Sequence, residues 1–486
     1  MARWMARAIA IVAGLAALAA LARAETRPTY GDEVQASLLG APVALDPVAA
    51  QSHAEITVVG LLFDTLYAIG LDGTVQPHLA IGAPVLDAAR TTAHIAVRRG
   101  VMFHDDTPLT ASDVAASLER ARAKVGWLLA PVAEIRASGD GIDVVLRVPG
   151  VDLAPLLALP QTAITRRGLA PMPGRPVGSG PFAVTSLDLQ GRRLVLRSFD
   201  DHFAGRPYLD RLVLHWFDTP DGEARRFETG DAQLSARGMA AFSGARPKYP
   251  ASEVEGPSAL LVFVGFGKRN PAITGDRGFR QALDLALDRG ALSAITTGEH
   301  TTATRLPLPV DAGAPQLDAA GLVGDPVRAR AVLDASPARR VAARLTIIID
   351  ETRPDDREIA LRVSRGLDKL GMSSAIEVLT AERMRARVAA GECDLWIGQI
   401  AAPLRSQAAW WGAAFAAGND DWARAQLAAG SLDPASAGAE FARRLPIVPL
   451  MFRSLLIWHR KEVRGLGFDA SGRPGLADLY WFRGKP

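Results

Sequence analysis

Between Leu345 and Ile400 the chain passes through five segments in about sixty residues, strand and helix in strict alternation. "RLTIIID" is a continuous apolar run of strand length. "REIALRVSRGLDKLG" repeats apolar residues at helical spacing and stops at Gly371, and "SAIEVL" returns to strand. "AERMRARVAAGE" is a second helix, stopping at Gly391, and "CDLWIGQI" is a third strand. Strand, helix, strand, helix, strand predicts a parallel sheet joined by right-handed crossovers. This stretch makes the chain an α/β protein.

The remainder is mixed. "TTAHIAVRRGVMF" alternates like a strand, and "GIDVVLRVPG", "RRLVLRSFD" and "LDRLVLHWF" are further strands that follow one another closely. After "ALLVFVGF" a helix is expected from Phe279 to Ile295, with Leu283, Ala286 and Leu287 on one side. Near the end "VPLMFRSLLIWHR" and "VRGLGFD" regain strand character. A length of 486 residues allows two or three domains, and no solenoid-length repeat or linker-like tract divides them.

The first residues are of another kind. Arg3 and Arg7 precede an apolar run from Ala8 to Ala22, and Ala22-Arg23-Ala24 follows it. Basic start, short apolar stretch and small-residue site predict a secretory signal peptide over residues 1–24, cleaved after Ala24. Lys and Arg number 55 against 52 Asp and Glu, and the three basic residues of that segment account for the whole excess. The remaining chain is therefore neutral, which removes charge as an argument for nucleic acid or an anionic surface. Cys393 is the single cysteine, so no intrachain disulfide is possible, and its place in a strand-like run predicts packing.

"RRGVMFHDDTPLTASDVAASLERA" places His104, Asp105 and Asp106 together before a helix. Thr110 and Asp113 have capping-box spacing, and Val114, Leu118, Ala121 and Val125 form its apolar face. Neighbouring turn residues point in different directions, and a metal needs further ligands from elsewhere. The three residues are read as a turn, with no metal and no catalytic role. Gly178-Ser179-Gly180 lacks the spacers of a nucleophile elbow and is also read as a tight turn. The eight histidines are scattered with no H-x-x-x-H pair.

That same stretch resembles a signature of the extracytoplasmic solute-binding proteins of ABC importers, in the peptide and nickel class that includes oligopeptide- and dipeptide-binding proteins. Asp106 stands where the family usually has Gly. "RPVGSGPFAV", "DDHFAGRPYLDRLVL", "DGEARRFETGDAQLS", "GDRGFRQALDLALDRGAL" and "VRGLGFDASGRPGLADLYW" are similar to further family segments, in the right order. The resemblance implies a two-lobed periplasmic-binding-protein fold closing on a hinge. Lobe one would comprise residues 25–60, 170–256 and 452–486, with an extra domain at 61–169 packed on it. Lobe two would be residues 257–451.

By the same resemblance the chain would be a periplasmic monomer without cofactor or catalytic residues. It would capture a small peptide-like solute and deliver it to an ABC permease with its ATPase. An exported hydrolase, or a sensor or chaperone on the same scaffold, is the alternative. Family members that bind peptides carry an Asp that pairs with the peptide's amino terminus. Here that position falls on Ala402 or Pro403, and no acid follows before Asp420. A buried ammonium needs a charged or hydrogen-bonding partner, so preference for a free amino terminus is not expected. The candidate ligand-binding residues are Gln399, Arg405, Trp410 and Trp411, with Arg305 in the "TGEHTTATRLPLP" loop that also holds Glu299 and His300. Arg can hold a carboxylate with paired bonds, and indoles give stacking surfaces.

Overall fold

Two long strands, Ser252–Phe266 and Ile447–His459, run antiparallel through the middle of the molecule. The computed structural model describes residues 28–482 except 43, 51, 71–72, 127, 237–250, 296–300, 316, 352, 402–406, 429–432 and 470–471. Among these, the two strands lie inside one eleven-stranded sheet. On one side, Ile447–His459 is followed by Leu234–Ala236, Glu33–Leu39, Arg211–Phe217, Arg193–Ser198 and Phe182–Asp188. On the other, Ser252–Phe266 is followed by Leu395–Ala401, Leu345–Asp350 and Ser374–Leu379.

The reason for the central position is composition. "LLVFV", Leu260 to Val264, is buried on both faces. Val262 and Val264 enter one core with Ile347, Ile349 and Val363. Leu261 and Phe263 enter another with Trp410, Phe415 and Phe441. A strand that is apolar at every position requires cover on both sides.

The pairing of the two strands is broken between Glu255 and Ser258 and again between Ser258 and Leu260. Gly256 and Pro257 occupy the break, and Pro has no N–H to give to a ladder. Bulges of this kind bend the strand that carries them. Ser252–Glu255 pair with Leu456–His459, beside the core built from Val34, Leu38, Leu196, Leu212 and Ile457. Leu260–Gly265 pair with Ile447–Arg453, beside the two cores of the other half. The molecule thus has two halves joined at bulged strands.

A further core belongs to residues 66–164. Strands Val85–Leu86, Thr92–Ala96, Gly141–Leu146 and Val132–Ser138 form an antiparallel sheet. Helix Ala111–Lys124 covers it through Val114, Leu118 and Ala121. The helix starts as its sequence predicts. Thr110 accepts from the Asp113 amide at 3.3 Å, and Asp113 accepts from the Thr110 amide at 2.9 Å.

One expected element divides in two. Instead of a single helix from Phe279 to Ile295, helices Arg277–Ala286 and Arg289–Ile295 are separated at Leu287, whose backbone is extended. The Arg289 side chain turns into the interior and donates to the Asp284, Thr304 and Pro449 carbonyls. Those bonds require a change of direction that a continuous helix cannot make. No helix among the described residues is long and apolar enough to cross a membrane.

Candidate functional site

His104, Asp105 and Asp106 form a turn. The His104 backbone amide donates to the Gly178 carbonyl, Nδ1 accepts from the Gly178 amide at 3.3 Å, and Nε2 lies 2.9 Å from the Gly180 carbonyl. Asp105 accepts from Thr107 and pairs with Arg166. The glycines of the facing turn, Gly178-Ser179-Gly180, are required by crowding, because a Cβ on Gly178 would stand 1.9 Å from the Leu62 carbonyl oxygen. Asp106 has φ +61°. Left-handed backbone is strained for most residues, while glycine is free there. Asp106→Gly is expected to stabilise the chain by about 0.5 kcal/mol, the relieved strain being partly offset by a more flexible unfolded state. Denaturant midpoints at unchanged slope measure it, and a loss of stability would show that the Asp106 side chain carries a contact.

Strand Leu345–Asp350 has parallel neighbours on both sides, Ser374–Leu379 and Leu395–Ala401. The chain leaves it first to one side and then crosses to the other, which makes its carboxyl end a topological switch point. In open α/β sheets that crevice is where ligands bind. Here it holds charge. Helix Pro354–Lys369 begins with Asp355 and Asp356 in its first turn, where the helix dipole favours acids. Arg353 lies 2.9 Å from Asp356 and 3.5 Å from Asp350, and donates to the Ile397 carbonyl at 3.0 Å.

Arg453 reaches the same place from the long strand Ile447–His459. Its side chain is 1% exposed and lies 3.3 Å from Asp355. Arg453 is paired with Leu260 and Leu260 with Ala401, so it shares a sheet face with Gln399, one row away. The Gln399 Nε2 is buried and has no hydrogen-bond partner among the described residues. A hidden donor left unmade costs about 1–3 kcal/mol, which an arriving acceptor would restore.

Burial governs the acids. It pushes the Asp356 carboxyl up to about 7, with Arg353 and Arg453 opposing. Burial also raises Asp355, again against the pull of Arg453, and lowers Arg453. On the far face of the Arg453 strand, a cavity of about 320 Å³ is lined by Thr302, Thr304, Leu308, Pro309 and Phe452. The cluster and the cavity stand on opposite faces of one strand, next to the bulge between the halves.

The residues singled out from sequence fall as follows. Gln399 belongs to the cluster. Trp410 and Trp411 lie on helix Gln407–Ala417, each 3% exposed, with their rings against Phe452 and Phe441. Arg305 pairs with Asp284 at 2.9 Å and donates to the Gly321 carbonyl. Arg405, Ala402, Pro403, Glu299 and His300 lie outside the described residues. Cys393 is fully buried and burial raises its thiol to about 11, as packing requires. Ser179 donates to the Asp64 carboxylate at 2.9 Å, not to an imidazole, so it is not arranged as a nucleophile.

Arg353, Asp355, Asp356 and Arg453 were not singled out from sequence. The signal was an arginine within "VPLMFRSLLIWHR", since a charge inside a strand that must be buried demands a partner.

Two halves joined through bulged strands, with a buried polar cluster at the join, define a two-lobed α/β architecture. Residues 74–421 match the bacterial extracellular solute-binding proteins, family 5 Middle, and the chain belongs to that family. Its fold is that of the periplasmic binding protein DppA from Helicobacter pylori, solved with the peptide STSA. The TM-score is 0.81 at 17% identity, covering 94% of this chain and 99% of that one. AgaA from A.tumefacien R10, solved with agropinic acid, aligns with a TM-score of 0.77 at 19% identity over 93% of this chain and 99% of the other. Among curated relatives, the oligopeptide-binding protein AppA of Bacillus subtilis is 23% identical over 296 residues, 57% of this chain and 54% of that protein. Protein XP55 of Streptomyces lividans is 30% identical over 266 residues, 51% of this chain and 48% of its own. The chain matches about half the length of these curated relatives.

Proposed function

We propose that this chain captures a small peptide-like solute between its lobes and hands it to an ABC permease. The observation that carries the reading is the charged cluster of Arg353, Asp355, Asp356 and Arg453 at the switch point, beside the strand bulge. Rotation at that bulge would bring the lobe built around Val34, Leu196 and Leu212 against the cluster, and exclusion of water strengthens every polar contact made there. Gln399 supplies a donor for a carbonyl of the solute, Arg453 and Arg353 complement a carboxylate, and the cavity beneath Phe452 takes an apolar group. Arg405, at the end of the Gln399 strand in sequence, remains a candidate for the same anionic group. Relatives bearing peptide-binding names support the substrate class, including the oligopeptide-binding protein AppA and the glutathione-binding protein GsiB of Salmonella choleraesuis.

The same reading makes residues 25–60, 170–256 and 452–486 lobe one, 61–169 an extra domain upon it and 257–451 lobe two. It places the chain outside the cytoplasm as a monomer, with residues 1–24 removed after Ala24. The catalytic alternative lacks an observation in its favour.

Native mass spectrometry of the purified chain, followed by calorimetry with peptides bearing free or acetylated amino termini, tests the reading. A co-purified peptide-like molecule and affinity that survives acetylation are expected, because no acid stands at Ala402 or Pro403. Binding that vanishes on acetylation would mean that another carboxylate, such as Asp355 of the cluster, captures the ammonium. No binding to any peptide would overturn the substrate class.

A further inference from the structure

A second cluster lies away from the cleft, where the core of residues 66–164 meets the core around Leu196 and Leu212. Asp64 and His78 flank the hairpin Tyr67–Ile69 and Val75–Pro77, and His202 comes from the loop after strand Arg193–Ser198. The Asp64 Oδ1 lies 2.9 Å from His78 Nε2 and 3.5 Å from His202 Nε2. The three ligand atoms all fall within 4.8 Å of one another.

The groups around them hold these side chains in place. Ser179 donates to the other Asp64 oxygen at 2.9 Å, which fixes the carboxylate. His202 Nδ1 lies 3.2 Å from the Gly205 carbonyl, and can approach it only as a donor. In the neutral ring, the lone pair on Nε2 then faces the Asp64 oxygen. Two acceptors turned on each other need a proton or a metal ion between them. Metal-bound histidines characteristically donate their other nitrogen to a carbonyl or carboxylate, as His202 does here. The backbone is fixed as well, because the Ile164 amide donates to the Asp64 carbonyl and the His78 amide to that of Leu66. Phe203 packs against both imidazoles.

We infer that Asp64, His78 and His202 form a binding site for a divalent transition ion of the zinc class, with solvent completing the coordination. Imidazole and carboxylate donors are those zinc takes, in four-coordinate geometry. In a tetrahedral site with bonds near 2.0–2.1 Å, ligand atoms stand roughly 3.4 Å apart. The Asp64–His202 separation of 3.5 Å already meets that value, the Asp64–His78 contact would open by a few tenths of an ångström, and the two imidazole nitrogens lie within 4.8 Å of each other before any ion draws them in. His78, with its side chain 26% exposed, provides the way in, while Asp64 and His202 are 4% and 6% exposed. Because the site joins two cores, the bound ion would tie them together.

The untagged full chain, stripped with EDTA, is titrated with ZnCl2 by calorimetry and in thermal unfolding. One ion per chain and a raised melting temperature at about tenfold molar excess are expected, since a ligand of the folded state alone stabilises it. His78→Gln and His202→Gln should each lower zinc affinity at least tenfold. His94→Gln, which alters the separate His94–Asp143 pair on the surface, should not change it. No uptake by the unsubstituted chain, or uptake unaffected by both His78→Gln and His202→Gln, would overturn the assignment. Should those variants fail to fold, cobalt(II) added to the unsubstituted chain decides the matter. Visible absorption of a four-coordinate ion, abolished by excess zinc, supports the site, and its absence refutes it.

Discussion

Arg453→Met is expected to lower the unfolding free energy by about 3–5 kcal/mol, because it leaves Asp355 in a buried site without its partner. The guanidinium is 1% exposed, Asp355 is 15% exposed, and 3.3 Å separates them. Water can therefore do little to replace the lost charge. Methionine keeps most of the apolar contact of the arginine stem, so the effect reports charge more than volume. Arg453→Met combined with Asp355→Leu should recover most of the loss, since replacing both members of a buried pair by apolar residues is commonly close to neutral. Denaturant unfolding of the two single variants and the double closes the cycle. If Arg453→Met costs less than about 1 kcal/mol, the pair behaves as a solvated surface contact and the cluster is no buried site. In ligand calorimetry, a more than tenfold loss of affinity in the double variant, where stability is restored, separates binding from folding.

The fold was largely legible because its determining signals are local. "RLTIIID", "SAIEVL" and "CDLWIGQI" are strands at the positions read, Leu345–Asp350, Ser374–Leu379 and Leu395–Ala401, and their crossovers are the helices between them. The Thr110–Asp113 cap is equally local. Strand Val132–Ser138 escaped notice because Glu134 and Arg136 flank Ile135, and a register shift between Val132 and Glu134 breaks the strict two-residue alternation of its apolar residues. The break at Leu287 depends on Arg289 reaching Pro449, 160 residues away, which no local window contains. The site was less legible for the same reason. Asp355 and Arg453 are 98 positions apart and meet only because helix Pro354–Lys369 starts over the face of the Ile447–His459 strand. Trp410 and Trp411 look like stacking surfaces in sequence, and in the fold their rings pack against Phe452 and Phe441.

Asp356 gives the site a dependence on pH whose sign can be worked out. Its carboxyl is pushed up to about 7 by burial, from 3.8, and Arg353 and Arg453 only partly oppose this. Between those two values the folded chain holds a proton that the unfolded chain has released. The unfolded state then binds fewer protons, so this group's contribution to stability is present below pH 4 and is lost as pH rises towards 7. The charges facing it are Arg353, Arg453, Asp350 and Asp355, and the last two disfavour its ionisation. Asn in its place stays neutral throughout. The stability of Asp356→Asn relative to the unsubstituted chain should therefore climb from pH 4 to pH 8, in urea unfolding at matched ionic strength. The same proton governs the arginines. While Asp356 is neutral, Arg353 and Arg453 face one fewer anion and are freer to hold a carboxylate of the solute. Once it ionises it competes for both. An acidic peptide-like solute should bind more tightly at pH 5.5 than at pH 8 by several-fold, and Asp356→Asn should flatten that profile. A stability difference that stays constant across the range would mean that Asp356 is already ionised in the folded chain, its charge held by Arg353 2.9 Å away.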